Sequence, residues 1–202
     1  ECGCRFTING ERYEVPMVGE FNVRNAAMAV CSARFAGLSP DQICQGLMSF
    51  EGIARRQQEL GEVRGVTVID DFAHHPTAIG LAIDGLRQKY PSRRLWVLFE
   101  PRSNTTRRSI FQDDLAEVLQ KADLVVIPSI PDHEKFAEDD RLDPDKLVEV
   151  MRSKGTEAWY LGEVDEIVSH VSGIALEGDV IAVLSNGGFG GIHTKLLEAL
   201  AG

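Results

Sequence analysis

The chain has 202 residues, 44% of them hydrophobic and 26% charged, the composition of a globular domain or of one domain plus part of another. A formal net charge of −10 argues against nucleic acid or an anionic membrane as a partner of the whole surface, so the places where arginines gather, Arg55-Arg56 and Arg102 with Arg107-Arg108, are informative. The longest apolar runs, such as Val180 to Leu184, have strand length and fall far short of a bilayer span, and no charged start leads into an apolar secretion signal.

In chain order, Cys4 to Ile8 and Arg12 to Val18 alternate around Asn9-Gly10, which predicts a hairpin. Apolar residues at helical spacing predict a helix over Asn22 to Ala36, ended by Gly37, and Ser39-Pro40-Asp41 opens a second one to about Ser49. These first 57 residues offer too little core to fold confidently alone, and they read as the tail of a domain or as an appendage. The first residue is not methionine, and the chain is expected to be a piece of something longer. From residue 58 a regular alternation begins. Strands are expected at Gln58–Val63, Val66–Asp70, Leu95–Phe99, Leu124–Ile127, Ala158–Tyr160 and Val180–Leu184. Helices are expected at Pro76–Tyr90, Ser109–Lys121, Pro144–Lys154, Val164–Gly173 and Ile192–Leu200. Arg64-Gly65 joins the first two strands into an antiparallel pair. The remaining alternation implies an α/β fold, a mostly parallel Rossmann-like sheet with helices on both faces. Asp132 to Asp143, dense in charge, is the candidate for a long mobile loop. Cys31 and Cys44 are expected as reduced core residues on apolar helix faces. Cys2 and Cys4 form one C-x-C without the second ligand pair of a zinc site, and nothing resembles a disulfide scaffold.

Three predicted strands end in unusual chemistry, and ligands of open α/β sheets bind at such ends. The first end is Asp70-Asp71-Phe72-Ala73-His74-His75-Pro76-Thr77, with four ionisable groups in six residues; consecutive strand residues face opposite ways, so one aspartate suffices to line a crevice. The alternative is an aspartate cap with solvated histidines at a helix start. The second end is Glu100-Pro101-Arg102-Ser103-Asn104-Thr105-Thr106-Arg107-Arg108, where an arginine fork suits a carboxylate or phosphate, against the alternative of a solvated loop capped by Asn104 or Thr105. The third is Ser185-Asn186-Gly187-Gly188-Phe189-Gly190-Gly191-Ile192-His193, whose four glycines let backbone approach a ligand, against a merely tight turn. It matches neither a dinucleotide fingerprint nor a G-K-[ST] phosphate loop, and Lys195 is displaced from where a phosphate-loop lysine would stand. Upstream, Phe21-Asn22-Val23-Arg24-Asn25 places two carboxamides three apart beside an aromatic ring, able to grip a flat heterocycle or simply to cap a helix.

Together these four segments resemble the Mur ligase family, over essentially the whole chain. The family's adenine-binding pattern is His-Asn-x-x-Asn. Asn22 and Asn25 match it, while Phe21 replaces the histidine and points to stacking instead of a hydrogen bond. The resemblance carries the family's arginine before the domain junction onto Arg56 and its ribose- or phosphate-contacting aspartate onto Asp71. It carries the incoming amino-acid site onto Phe72, His74 and Arg102 and onto the glycine loop at Asn186, Gly187 and Gly188. Ser103, Asn104 and Thr105 join that site by position. No residue is assigned as the chemical catalyst, and none as a metal ligand.

The resemblance implies the C-terminal part of an ATP-dependent amide ligase, with residues 1–57 the tail of its central ATPase domain and 58–202 its C-terminal domain. ATP and Mg2+ would serve the full-length enzyme, with the Mg2+ ligands, the modified lysine and the UDP-sugar site in missing N-terminal and central domains. The arginine and glycine loops favour a member that joins L-Ala-γ-D-Glu-meso-diaminopimelate to UDP-N-acetylmuramate in peptidoglycan recycling, in the bacterial cytoplasm. The alternatives are the L-alanine-adding ligase and a non-catalytic ligand-binding module; a nicotinamide-dependent oxidoreductase lacks its G-x-G-x-x-G. No nucleic-acid partner and no membrane insertion are expected, and the chain alone is expected to be inactive.

Overall fold

The computed structural model describes residues 3–202, and Cys2 of the C-x-C lies outside them. The chain divides into two compact units, one ending at Ala54 and joined by Asp84–Pro91, the other formed by Arg55–Ile83 and Ser92–Gly202.

In the first unit, β1 (Cys4–Ile8) pairs antiparallel with β2 (Glu11–Val15). Asn9 and Gly10 take φ of 51° and 85°, the left-handed pair that a two-residue hairpin turn demands. β2 stops at Val15, three residues before the predicted end, where Pro16 removes a ladder donor. α1 (Glu20–Phe35) begins two residues before the predicted start, after Gly19 at φ 94°, and α2 (Pro40–Met48) opens with a capping box between Ser39 and Gln42. Tyr13, Val30 and Ile43 form a small core with Phe6, Ile8, Ala33, Cys44 and Leu47 around it. Cys31 is exposed, against expectation: α1 buries only Asn22, Ala26 and Val30, one stripe at four-residue spacing, and Cys31 sits about 100° around the helix from Val30.

The second unit is a six-stranded sheet in the order β3-β4-β8-β5-β6-β7. Its strands are β3 (Gln58–Val63), β4 (Val66–Asp71), β5 (Leu95–Phe99), β6 (Leu124–Pro128), β7 (Glu157–Leu161) and β8 (Val180–Leu184). β3 joins antiparallel through Arg64-Gly65, and all other neighbours are parallel. The helices are α3 (Pro76–Lys89), of which the part up to Ile83 belongs to this unit, α4 (Gln112–Leu119), α5 (Pro144–Ser153), α6 (Val164–Ile174) and α7 (Ile192–Ala201). The steps from β4 to β5, β6 and β7 advance in one direction; right-handed crossovers then put α3, α4 and α5 on one face. The step from β7 back to β8 reverses direction and sends α6 to the other face, where α7 joins it. Alternate strand residues serve each side. Val66, Val68, Trp96, Leu98, Val126, Ile181 and Val183 pack with Ile167, Val171, Ile192 and Leu196 of α6 and α7. With both faces covered, β4, β5, β6 and β8 are buried along their whole length.

Two expectations change in detail. The helix predicted from Ser109 opens as one 3-10 turn, Ser109–Phe111, before α4 begins at Gln112. The charged segment 132–143 holds two single-turn helices, His133–Lys135 and Glu138–Asp140, and is tied down by a bridge between Arg108 and Arg141 and an Arg108–Asp140 ion pair of 2.6 Å.

Candidate functional site

A doubly covered sheet leaves a crevice where neighbouring strands send their chains to opposite faces. β8 is that strand: it leaves for α7, while β4 and β5 on either side leave for α3 and α4. Register sets Asp71, Leu184 and Phe99 side by side. Pairing runs one step past the strands, with Ser185 N donating to Asp71 O at 3.1 Å and Glu100 N to Leu184 O at 3.0 Å. The three strings at these strand ends therefore open on one rim.

The two aspartates do face opposite ways, and both are buried, Asp70 at 7% and Asp71 at 4% exposure. Asp71 accepts from Gln57 N at 2.9 Å and Ala73 N at 2.7 Å, which ties the segment before β3 to the end of β4. Burial pushes its pKa up, against the pull of those two amides and of Arg56. Asp70 takes Arg55 Nε at 3.1 Å on Oδ2, and His193 Nε2 stands 3.2 Å from Oδ1 without hydrogen-bond alignment. Burial lowers the pKa of His193, Asp70 opposing and Arg55 adding to the shift, so the imidazole is neutral at pH 7 and its contact with Asp70 is no ion pair.

Phe72 is half-buried, with the guanidinium carbons of Arg55 and Arg56 at 5.1 and 5.4 Å from its ring centroid. His74 meets the same ring edge-on at 5.4 Å, and its Nδ1 lies 3.0 Å from Phe72 O. A carbonyl only accepts, so Nδ1 carries a proton in this contact. His75 is exposed at the start of α3, as the plainer reading had it, but it also accepts from Thr77 N on its Nδ1 at 3.3 Å and meets Phe111 edge-on at 4.8 Å, contacts that reading did not foresee.

On the second loop, Arg102 is half-exposed, and its nearest carboxylate oxygen is Glu100 Oε1 at 3.7 Å. The rest of the arginine cluster is structural. Arg107 bonds Pro131 O at 2.9 Å and Asn104 Oδ1 at 2.7 Å, and Arg108 holds Asp140. Ser103 Oγ takes Thr106 N at 3.1 Å in a local turn, Asn104 anchors Arg107, and Thr105 is exposed.

On the third loop, Ser185 hydroxyl donates to Glu100, and its oxygen accepts from Gly187 N at 2.8 Å. Phe189, at φ 41° and buried among Val68, Ile181 and Ile192, pegs the loop into the core. Arg102 lies across Gly187, where a Cβ would collide with its Cδ and stand 2.6 Å from Nε. Asn186 Oδ1 is buried without a partner, while Gly188 faces open space. Lys195 pairs with Asp165 at 2.6 Å on the surface.

In the first unit, Phe21 is half-buried, Asn25 is exposed, and the buried Asn22 spends its amide on Val18 O at 2.7 Å while keeping its oxygen. The fit to an adenine is thus partial: Asn25 offers a whole carboxamide, Asn22 an acceptor, and Phe21 a ring face.

Sequence reasoning passed over Arg55, Gln57, Glu100, Ser185, Phe189 and His193. Arg55 stood in view beside Arg56, and Glu100 and Ser185 stood inside quoted strings. A charged residue at the end of an apolar strand demands a partner, which is the signal that was available. A groove of about 620 Å3 lined by Arg64, Glu177 and Leu200 lies at the opposite end of β4 from these loops. Among the described residues no group of three His, Cys, Asp or Glu side chains is placed to hold a metal ion.

Residues 55–187 match the family described as Mur ligase, glutamate ligase domain. The UDP-N-acetylmuramate–L-alanyl-γ-D-glutamyl-meso-2,6-diaminoheptandioate ligase of Escherichia coli strain K12 is 43% identical over 186 residues, covering 92% of this chain and 38% of that protein. A UDP-N-acetylmuramate–L-alanine ligase of Burkholderia ambifaria is 32% identical over 89% of the chain and 40% of its own length. The solved murein peptide ligase of Psychrobacter arcticus superposes with a TM-score of 0.70 at 36% identity, over 96% of this chain and 40% of that one. The chain thus spans about two fifths of the length of these relatives. With strand ends, loops and family match in agreement, the chain belongs to the Mur ligase family.

Proposed function

We propose that this chain is the C-terminal part of a bacterial, cytoplasmic ATP-dependent ligase that joins L-Ala-γ-D-Glu-meso-diaminopimelate to UDP-N-acetylmuramate. On this reading residues 1–57 are the tail of the central ATPase domain and 58–202 the C-terminal domain; the missing N-terminal and central parts bring the UDP-sugar site and the Mg2+ ligands. The observation that carries it is the rim shared by β4, β8 and β5, where Arg102, with a side chain 52% exposed, makes the longest ion pair of the arginine cluster, 3.7 Å to Glu100 against 3.5 Å for Arg107 and 2.6 Å for Arg108. An incoming tripeptide rich in carboxylates suits that guanidinium, in a protein whose overall charge is otherwise repulsive to it. The 43% identity to the Escherichia coli tripeptide ligase supports the same substrate.

ATP, when bound, supplies the phosphoryl group that activates the muramate carboxylate. The peptide-binding residues of this chain then hold the peptide amine in line with the activated carbon, and orientation of that kind needs no strong acid or base. Arg102 and the loop Asn186-Gly187-Gly188 hold the peptide, with Ser103, Asn104 and Thr105 at its edge; Phe72 and His74 wall the amine end. Phe21, Asn22, Asn25, Arg56 and Asp71 serve the nucleotide.

The test is a ligation assay on the full-length protein, free L-alanine against the tripeptide, with UDP-N-acetylmuramate and ATP. Preference for the tripeptide is the expected result; preference for alanine would hand the chain to the alanine-adding ligases, and no turnover with either would leave a binding module. The 202-residue chain alone should form no amide and hydrolyse no ATP, and measurable turnover by it would overturn the assignment of the activating machinery to the missing parts. Asp71→Asn and Asn25→Ala should each raise the KM for ATP severalfold while the tripeptide KM stays put. Equal shifts in both KM values would remove these two residues from the nucleotide site.

A further inference from the structure

The glycine loop is gripped from beneath by a residue that lies far away in sequence. Arg55 Nη2 donates to Ser185 O and to Gly187 O, both at 2.7 Å, while its Nε bonds Asp70 at 3.1 Å. Its own backbone is fastened at both ends: its N donates to Gln58 Oε1 at 2.9 Å, and its O accepts from Phe72 N at 2.8 Å. Arg55 sits at φ 60°, a left-handed conformation that a branched-off side chain adopts only when its surroundings hold it there. Asp70 is itself wedged in place, Arg55 on one oxygen and the ring of His193 against the other.

We infer that Arg55 is a positioning residue: oriented by Asp70, it ties the carbonyls of Ser185 and Gly187 together and so sets the shape of the loop that faces the ligand. Only a guanidinium can do this, because it offers several donors in one rigid plane; a lysine at 55 keeps the charge and loses the fork. Gly187 is thereby fixed on two sides, its carbonyl by Arg55 and its amide by Ser185, which is held in turn by Glu100. The clamp stands on this geometry alone. Its consequence for the peptide rests on the ligase reading above.

Hydrogen exchange of the full-length protein, read by mass spectrometry, separates the two. Arg55→Ala should speed exchange at residues 185–188 roughly tenfold, the loss of one or two hydrogen bonds, while β5 keeps its protection. Arg55→Lys should give nearly the same acceleration, and Asp70→Asn, which preserves shape and removes the charge, a smaller one; these two decide the matter should Arg55→Ala not fold. Wild-type exchange in the loop of both milder variants, or an acceleration spread evenly over β5 and β8, would overturn the clamp. In the ligation assay Arg55→Lys should raise the tripeptide KM about tenfold and leave the ATP KM within twofold. Faster loop exchange with an unchanged tripeptide KM would keep the clamp and take the loop out of the peptide site.

Discussion

Gly187→Ala should weaken use of the tripeptide as much as Arg102→Ala does, by roughly 1–3 kcal/mol, although no charged group is removed. A Cβ at 187 would stand 2.6 Å from Arg102 Nε and 2.7 Å from its Cζ. Those atoms belong to the end of a flexible side chain that is 52% exposed, so the arginine swings aside and the fold does not suffer. Gly187 is not among the positive-φ residues, so alanine meets no backbone penalty there. The guanidinium loses its place beside Glu100 and over the glycine loop, which is the place a peptide carboxylate would find it. A double-mutant cycle on the full-length enzyme tests the idea: once either change is made the other should cost little more, because both remove one interaction. Additive losses in kcat/KM for the tripeptide would show that Gly187 and Arg102 act separately.

Asp179→Ala should cost about 3 kcal/mol of stability and leave the tripeptide KM alone. Its side chain is 3% exposed and accepts from Arg94 Nε at 2.9 Å, Arg94 Nη2 at 2.7 Å, Trp96 Nε1 at 2.8 Å and Leu176 N at 3.0 Å. Removing it leaves the Trp96 indole and the Leu176 amide without their acceptor and Arg94, whose side chain is 32% exposed, with Ile174 O alone, the costly way to break a pair with one buried partner. It stands before the first residue of β8, at the end of the strand away from the ligand loops. The sign of its pH dependence follows from its pKa. Burial pushes that pKa up, but the bonds from Arg94, the Leu176 amide and Trp96 outweigh burial and hold it below the ordinary value. The folded state therefore binds fewer protons than the unfolded one through the carboxylate range. The contribution is complete above the unfolded pKa of about 3.9 and is lost as pH falls through the folded value. Asp71 runs the other way, since its raised pKa makes stability fall as pH rises through its range. Denaturant titrations at several pH values should show a shallower acid limb for Asp179→Asn than for wild type; identical limbs would mean that Asp179 is not the group responsible.

The elements of the sheet were legible because they are local. Unbroken apolar runs bounded by Gly, Pro and Asp mark Leu95–Phe99 and Val180–Leu184 without any knowledge of their neighbours, and Asn9-Gly10 dictates its own turn. Small misjudgements came from competing local effects: Pro16 cut β2 short, and Gly19 let α1 start early. Cys31 was misread because many positions on α1 are apolar, and only packing decides which stripe is covered.

The amino-acid sequence by itself determined that three strands end in ionisable, arginine-rich and glycine-rich loops, and the resemblance of those loops named the family. Only the tertiary structure decided that β8, last in the chain, is inserted between β4 and β5, because strand order depends on which buried faces match and not on chain order. That insertion brings Arg55 under a loop 130 residues away, separates Arg102 from Arg107 and Arg108 in role, and turns Glu100 from a strand-end charge into the acceptor that holds Ser185. Partner choice among buried charges is a matter of distance in space, and no local pattern encodes it.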